Sequence, residues 1–515
     1  MNDGRAVRRL AVAVVANIAV AAAVGIVWHE RTSGKRAPEP VTSLPSSLDA
    51  PAYGELRIAV RDDDTGLPII ARVALRGVDG TVVPKTSEGA AGRAGVAVMD
   101  VRDDVTTRLP PGRYRLSASR GLEWSVDAEL VDIAVGRIAT VELRLRHVIR
   151  IDGLVACDLH VHAEPAVTAD ARLLSLASAG VQFVVATEQT TGSDYAAAAS
   201  RTDLGAIVLV DGLDVTTRDP AVGQFGIFPR PAAAVGAAGI PRRQTDAASV
   251  FAAARRGDAS RAIVVYRPRN QLGTGYFQVV GFDPTSRAIP PGMSTDFDMI
   301  EVYNGHDLAE RSRTEAVMAD WLALLDLGKH HLATGGSDAF DLGYPWAGYP
   351  RTYVDVSGEL GGWRQGYSGA RLDTAIVLEA LRNGRSFVTS GPLLDLQIDE
   401  ARPGATLTSR GAVKAHLRVR AAPWVDVTSV EVIAGGTSIY EAAIPSRPTS
   451  TRKEPGSLDE AMRRAVRFDS DLALTIPRGA HWILAVVRGD RPYDDALPGM
   501  PVQPLAFTNP IWLTQ

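Results

Sequence analysis

The sequence predicts an α/β central region flanked on both sides by all-β segments. Three textures predict it. Between residue 151 and about residue 395, short β-branched runs alternate with helical stretches, whereas 54–149 and 396–515 carry strand-like runs with no helices between them. Alternating β and α units imply parallel strands, and hence a barrel or a doubly wound sheet. The third texture is bulk: 515 residues exceed what one core organises, and 46% hydrophobic with 22% charged residues describes a globular chain.

The elements follow in order. Leu10 to Trp28, LAVAVVANIAVAAAVGIVW, is apolar except for Asn17. As a helix it would be about 28 Å long, close to the hydrocarbon core of a bilayer. Residues 1–36 are therefore expected to form a signal anchor or transmembrane segment, and 37–53 a Pro/Ser-rich linker. That arrangement expects a membrane-anchored chain with its bulk on the periplasmic or extracellular side. Residues 54–149 contain ELRIAV, ARVALRG, RYRLSAS and ATVELRLR, separated by the turn signals DDDTGLP, VDGT and PPG, as in a β-sandwich.

From 150 to 395 the candidate strands are VQFVVAT, AIVLVDG, AIVVYR, FDMIEVYN, HLATGG and RSFVTS. Helical patterns lie between them, and TADARLLSLASAG and LDTAIVLEALRNG end on Gly, as helix stops do. Residues 396–515 return to strands with KAHLRVRA, SVEVIAGG and HWILAVVRG, a second expected β-sandwich. The net charge of −4 and sparse aromatics, 6%, argue against a nucleic-acid partner. A single cysteine, Cys157, excludes an intrachain disulfide.

Residues 156–165, ACDLHVHAEP, carry the first chemistry. Alternate residues of a strand share a face, so Asp158, His160 and His162 look one way and Cys157, Leu159 and Val161 the other. A face with that many buried polar groups needs partners, and a cation or a set of hydrogen bonds would serve. Functional groups of parallel α/β folds gather at the C-terminal ends of strands. Those ends read His160/His162, Glu188-Gln189, Asp214, Arg267, Glu301 and Asp338 in chain order. His306, in the loop after EVYNG, reads best as an exposed loop histidine, and His330 and His331 begin a strand and belong at the opposite rim.

DLHVHAE, EVYNG, TGGSDAF, YPRTYV and GRSFVTSGP, in this order, resemble the PHP superfamily, in its CehA/McbA metallohydrolase branch. The resemblance extends over most of 54–515, including an ending like AFTNPIWLTQ. It implies a distorted seven-stranded β/α barrel whose rim binds divalent metals. It also implies one metal site of His160, His162, Asp214 and Asp338, the third of these usually Glu in the family. At a second site Gln224 and Arg267 stand where the family has histidines, and at a third Gln189 and Phe340 do.

One divalent transition metal is therefore expected, zinc, manganese or iron, since two imidazoles and two carboxylates suit these better than calcium or magnesium. Asp338 or Glu188 would act as general base. Arg267 would either hold a developing oxyanion or neutralise the acids of a metal-free site. The activity implied is hydrolysis of a phosphoester or a carbamate or amide ester of a small molecule. The alternative is a non-catalytic binding protein that uses the same rim.

Overall fold

The computed structural model describes residues 53–514, apart from 85–89, 92–94, 164–166, 190–193, 203, 205–206, 232–238, 359–371, 409–410, 448 and 451–452. The first segment holds β1 (Gly54–Asp62), β2 (Ala71–Val78), β3 (Ala90–Ala91), β4 (Val96–Val101), β5 (Val105–Leu109), β6 (Gly112–Ser119), β7 (Asp127–Ile133) and β8 (Ile138–Leu145). They form one sheet in the order β5-β1-β8 and another in the order β3-β4-β2-β6-β7. Leu56 and Ile58 of β1 meet Val73 and Leu75 of β2 and Leu116 of β6 in one core; in β1 the alternation leaves Arg57 exposed between them, whereas Ala74 of β2 is buried on the other face in a second core.

The middle segment runs β9 (Leu154–Val161), α1 (Ala169–Ser178), β10 (Phe183–Ala186), α2 (Tyr195–Arg201), β11 (Val208–Asp211), β12 (Leu213–Thr216) and β13 (Gln224–Phe228). It continues with α3 (Ala247–Arg255), β14 (Ala262–Tyr266), α4 (Tyr276–Val279), β15 (Met299–Asn304), α5 (Arg311–Asp326), β16 (Leu332–Gly336), β17 (Arg351–Asp355), α6 (Thr374–Arg382) and β18 (Ser386–Thr389). Helix starts follow local chemistry: the Thr168 side chain accepts from the Ala171 amide at α1, and Asp373 does the same for Ala375 at α6.

The expected α/β architecture does not form. Among the described residues strand outweighs helix, 39% to 16%, and no barrel closes. Among the described residues of the middle segment, only β9–β10–β11 and β14–β15–β16 pair in parallel; β12–β13–β14 and β9–β17–β18 are antiparallel. The strands therefore divide between two sheets. One is β12-β13-β14-β15-β16, and the other contains β11-β10-β9-β17-β18. Among the described residues an isolated bridge, Val161 to Ala339, links the end of β9, inside the second sheet, to the segment just after β16, at the edge of the first. Instead of closing, β18 pairs onward with a strand of the C-terminal segment.

That segment contains β19 (Leu393–Ile398), β20 (Thr406–Thr408), β21 (Ala412–Arg420), β22 (Ser429–Ala434), β23 (Thr437–Ala443), α7 (Leu458–Ala465), β24 (Val466–Thr475), β25 (Trp482–Arg488), β26 (Leu505–Thr508) and β27 (Ile511–Thr514). The order β18-β26-β25-β22-β23 completes an eleven-stranded sheet with β20 and β27, and β19-β21-β24 forms a separate one. The large sheet crosses residue 395 unbroken, and Ala52–Gln515 forms one compact unit. The membrane-anchored placement is also corrected. No helix among the described residues is long and apolar enough to cross a membrane, and the expected anchor over 1–36 lies outside the described residues.

Candidate metal centre

His160 and His162 stand at the end of β9, Asp214 in β12, Glu301 in β15, and Asp338 just beyond β16; all five are buried. The ligand-capable atoms of His160, His162 and Asp214 lie within 4.8 Å of one another, so this buried group could hold a metal ion. Asp338 closes on the same point. Its Oδ1 is 3.3 Å from Nε2 of His160 and 3.5 Å from Nε2 of His162. Neither Nε2, nor Asp338 Oδ1, has a hydrogen-bond partner. Buried polar atoms are rarely left unpaired, because each loses its hydration without return. Two lone-pair nitrogens and a carboxylate oxygen aimed at one point form a donor set that fits a divalent cation.

The orientation of His160 has a cause. Its Nδ1 lies 2.8 Å from Glu301 Oε1, which selects the tautomer protonated at Nδ1 and leaves Nε2 for a ligand. Tyr266 stacks on the same ring at 3.7 Å, and its hydroxyl donates to the Leu159 carbonyl at 2.6 Å. Gly226 makes room for that tyrosine, since a Cβ there would lie 2.2 Å from its ring. Gly336 similarly admits the His160 side chain, whose Cβ would be 2.7 Å away. Asn304 donates to Glu301 Oε2 at 2.8 Å and to Asp338 Oδ2 at 3.2 Å, tying the two acids together.

The electrostatics call for positive charge. Burial opposes a charged imidazole at His160, yet Asp338 and Glu301 outweigh it and raise its pKa to about 9. Burial likewise opposes charge on Asp338, but the imidazoles of His160, His162 and His306 hold its carboxyl well below the usual range. Burial raises the pKa of Glu301. A proton or a cation in this cluster is thus strongly favoured.

Arg267 follows β14 and reaches Asp338 Oδ2 at 3.6 Å, its Nε buried and unpartnered. Both Arg267 and Asp338 adopt left-handed backbone, φ 43° and 50°. For residues with a Cβ such strain costs on the order of 1–3 kcal/mol and clusters at functional sites. His306 also faces the centre, with Nε2 3.1 Å from the Asp338 carbonyl oxygen and 3.7 Å from Oδ2. Its side chain is only 34% exposed, so it is not the exposed loop histidine the sequence suggested.

The remaining expected residues divide. Gln189 and Gln224 both donate to Asp214 Oδ2, at 3.0 and 2.9 Å. Phe340 stacks on His162 at 4.0 Å. Glu188, expected as a general base, is instead engaged with the backbone: its Oε1 accepts from the Ala163 amide at 2.7 Å and the Tyr195 hydroxyl at 3.3 Å. The sequence places Glu301 on the rim and assigns it no role, and it does not point to Asn304 or Tyr266. An acid inside the wholly buried strand MIEVYN was the available signal for Glu301. His331 and His330 stack on Phe297 and Trp512, away from the centre.

No protein-family model matches the chain, and no curated protein does. Among solved structures, a streptococcal ancillary pilin is similar at 18% identity over 21% of this chain and 37% of its own, with a TM-score of 0.17. The minor pilin GBS52 of Streptococcus agalactiae is similar at 20% identity over 19% and 46%, with a TM-score of 0.16. The chain spans less than half the length of either pilin, and likenesses this slight carry no argument about fold or role.

Proposed function

We propose that the chain is a metal-dependent hydrolase with a single cation site, acting on a phosphoester or on a carbamate or amide ester of a small molecule. The observation that carries the reading is the convergence of three unpartnered buried atoms, Nε2 of His160, Nε2 of His162 and Asp338 Oδ1. His160, His162, Asp338 and Asp214 would hold the ion, and the two-imidazole, two-carboxylate set favours zinc, manganese or iron. When bound, such a cation supplies Lewis acidity that polarises a substrate oxygen and makes a water more acidic.

The protein's own groups would do the rest. Glu301 fixes the His160 ring, and Asn304 keeps Glu301 and Asp338 in register. Arg267, with Nε unpartnered and its side chain 28% exposed, would bind the anionic oxygen of the substrate. His306, at the partly open side, would pass a proton between the centre and solvent. Glu188 is given no step in this reading, since its Oε1 accepts from the Ala163 amide.

A second reading has its own support. Two glutamine amides already satisfy Asp214, as they would in a rim that binds a ligand without turning it over. Metal analysis of the purified full chain, together with turnover of aryl phosphate and aryl carbamate esters, separates the two. About one transition metal per chain with turnover supports the hydrolase. A folded chain that takes up no zinc, manganese or iron overturns it in favour of the binding protein.

A further inference from the structure

Strand β21 carries a basic ladder whose last rung has no carboxylate opposite it in the sheet. Lys414, His416, Arg418 and Arg420 alternate along one face. In the neighbouring strand β24, Asp471 stands opposite His416 and Asp469 opposite Arg418. The pairs form: His416 Nδ1 lies 2.9 Å from Asp471, and Arg418 Nε 3.3 Å from Asp469. At Arg420 the register shifts, and its partner across the strand is Val466. On its other side, in β19, it meets Leu393, while Asp395 falls opposite Arg418. Arg420 therefore has apolar neighbours in both directions. Among the described residues its side chain donates one hydrogen bond, to the Arg150 carbonyl at 2.7 Å.

A cavity of about 280 Å³ opens beside it, lined by Arg150, Arg418, Arg420 and Arg463 and floored by Val148, Ile149, Met462 and Val466. Asp459 is the one acid in its wall. Among the described residues, neither Arg150, Arg420 nor Arg463 forms an ion pair with a carboxylate. Burial, and then the nearby Arg418, push the Arg420 pKa below its ordinary value, more than Asp395, Tyr353 and Asp152 raise it. A second cavity meets the first at Arg420; Asp152, Asp355 and Asp395 line it, and Asp395 is paired there with Arg402 at 2.7 Å, so most of the acids lie on that side of Arg420 and Arg150 and Arg463 on the other. The chain as a whole carries −4, so this is a local concentration of positive charge and not part of a basic surface.

We propose that this cavity is a binding site, separate from the metal centre, for a small amphiphilic oxyanion: a phosphate or carboxylate group held by Arg420, Arg150 and Arg463, with an apolar portion against Met462 and Val466. The volume suits a small molecule, and planar guanidinium groups are the side chains that bind such oxyanions by paired hydrogen bonds.

The test is calorimetric titration of the full chain with hexylphosphonate, whose carbon–phosphorus bond no esterase step cleaves. One binding event per chain that persists after chelator treatment, and so is distinct from any binding at the metal centre, is expected, with inorganic phosphate weaker and hexanol inert. Arg420→Ala should weaken binding by about tenfold or more, the worth of a charge-assisted hydrogen bond. Arg463→Ala, on the exposed side of α7, should weaken it about two- to fivefold without disturbing the fold. His160→Ala should leave hexylphosphonate affinity unchanged, which separates this site from the metal centre. Equal affinity in wild type and both arginine variants overturns the proposal, as does loss of binding in His160→Ala. Vesicles containing phosphatidate test the other source of the same oxyanion. No sedimentation dependent on Arg420 is expected, and its appearance would assign the site to a lipid headgroup and overturn the small-molecule reading.

Discussion

At the scale of single residues, the centre depends on which nitrogen each histidine offers. His160 presents Nε2 because Glu301 occupies Nδ1, so removing either partner should empty the site. Elemental analysis of the wild-type chain should find close to one transition metal, and His160→Ala close to none. Two or three metals per chain would mean that Gln189, Gln224 and Phe340 do not block further sites. Arg267→Ala tests the catalytic reading. If Arg267 binds a developing anion, turnover should fall roughly a hundred- to a thousandfold with metal content unchanged. If it only neutralises Asp338, the loss appears instead as about 3 kcal/mol of stability, with no turnover to lose. The metal-competent residues were legible because imidazoles and acids in a buried strand face are conspicuous. The supporting ones were not: Tyr266 acts through ring stacking and Asn304 through bridging two acids, and neither leaves a spacing pattern in the chain.

At the scale of elements, the strands were legible where alternation or β-branched runs were long, as in β1, β2, β10 and β14. Their partners were not, since a strand's sequence does not say whether its neighbour runs parallel or antiparallel. β13 illustrates this. It inserts antiparallel between β12 and β14, with Gly226 opposite Val264 and Gln224 opposite Tyr266, which leaves the bare Gly226 backbone beside the Tyr266 ring that stacks on His160. Gly226→Ala should therefore cost about 1–3 kcal/mol through overpacking and also weaken metal binding by displacing Tyr266. Thermal melting and metal titration of the same variant would check both, and unchanged metal affinity would exclude Tyr266 from the site.

β16 offers a pH test away from the metal. His331, just before it, is buried and stacked on Phe297, and burial lowers its pKa from 6.5 to about 4. Its folded-state pKa lies below its unfolded one, so between these values the unfolded chain binds more protons. Stability should then be complete above pH 6.5 and fall as pH drops toward 4, by roughly 3 kcal/mol in all. His331→Gln should flatten that slope in denaturant titrations run across the window.

At the scale of the molecule, the texture change near residue 395 suggested an independent C-terminal sandwich, but hydrogen bonds run through that boundary. β18 pairs with β26, and Asn509 links three elements with one side chain. Its Oδ1 accepts from the Ala333 amide at 2.7 Å, and its Nδ2 donates to the Ala333 carbonyl at 3.0 Å and to Ser386 Oγ at 2.8 Å. Nothing in AFTNPIWLTQ signals this by composition, because the partners lie 176 and 123 residues away. Asn509→Ala leaves a buried backbone amide and carbonyl unpaired in the strand that leads to Asp338, at a cost of about 2–4 kcal/mol. If the boundary is energetically continuous, the loss of β-structure and the release of metal should shift together in one transition. If the C-terminal strands formed a separate body, Asn509→Ala would split the melt, with metal retained through the first step. Simultaneous calorimetry and metal-release measurements on the variant decide between these, and a split transition would show that the eleven-stranded sheet is not one cooperative element.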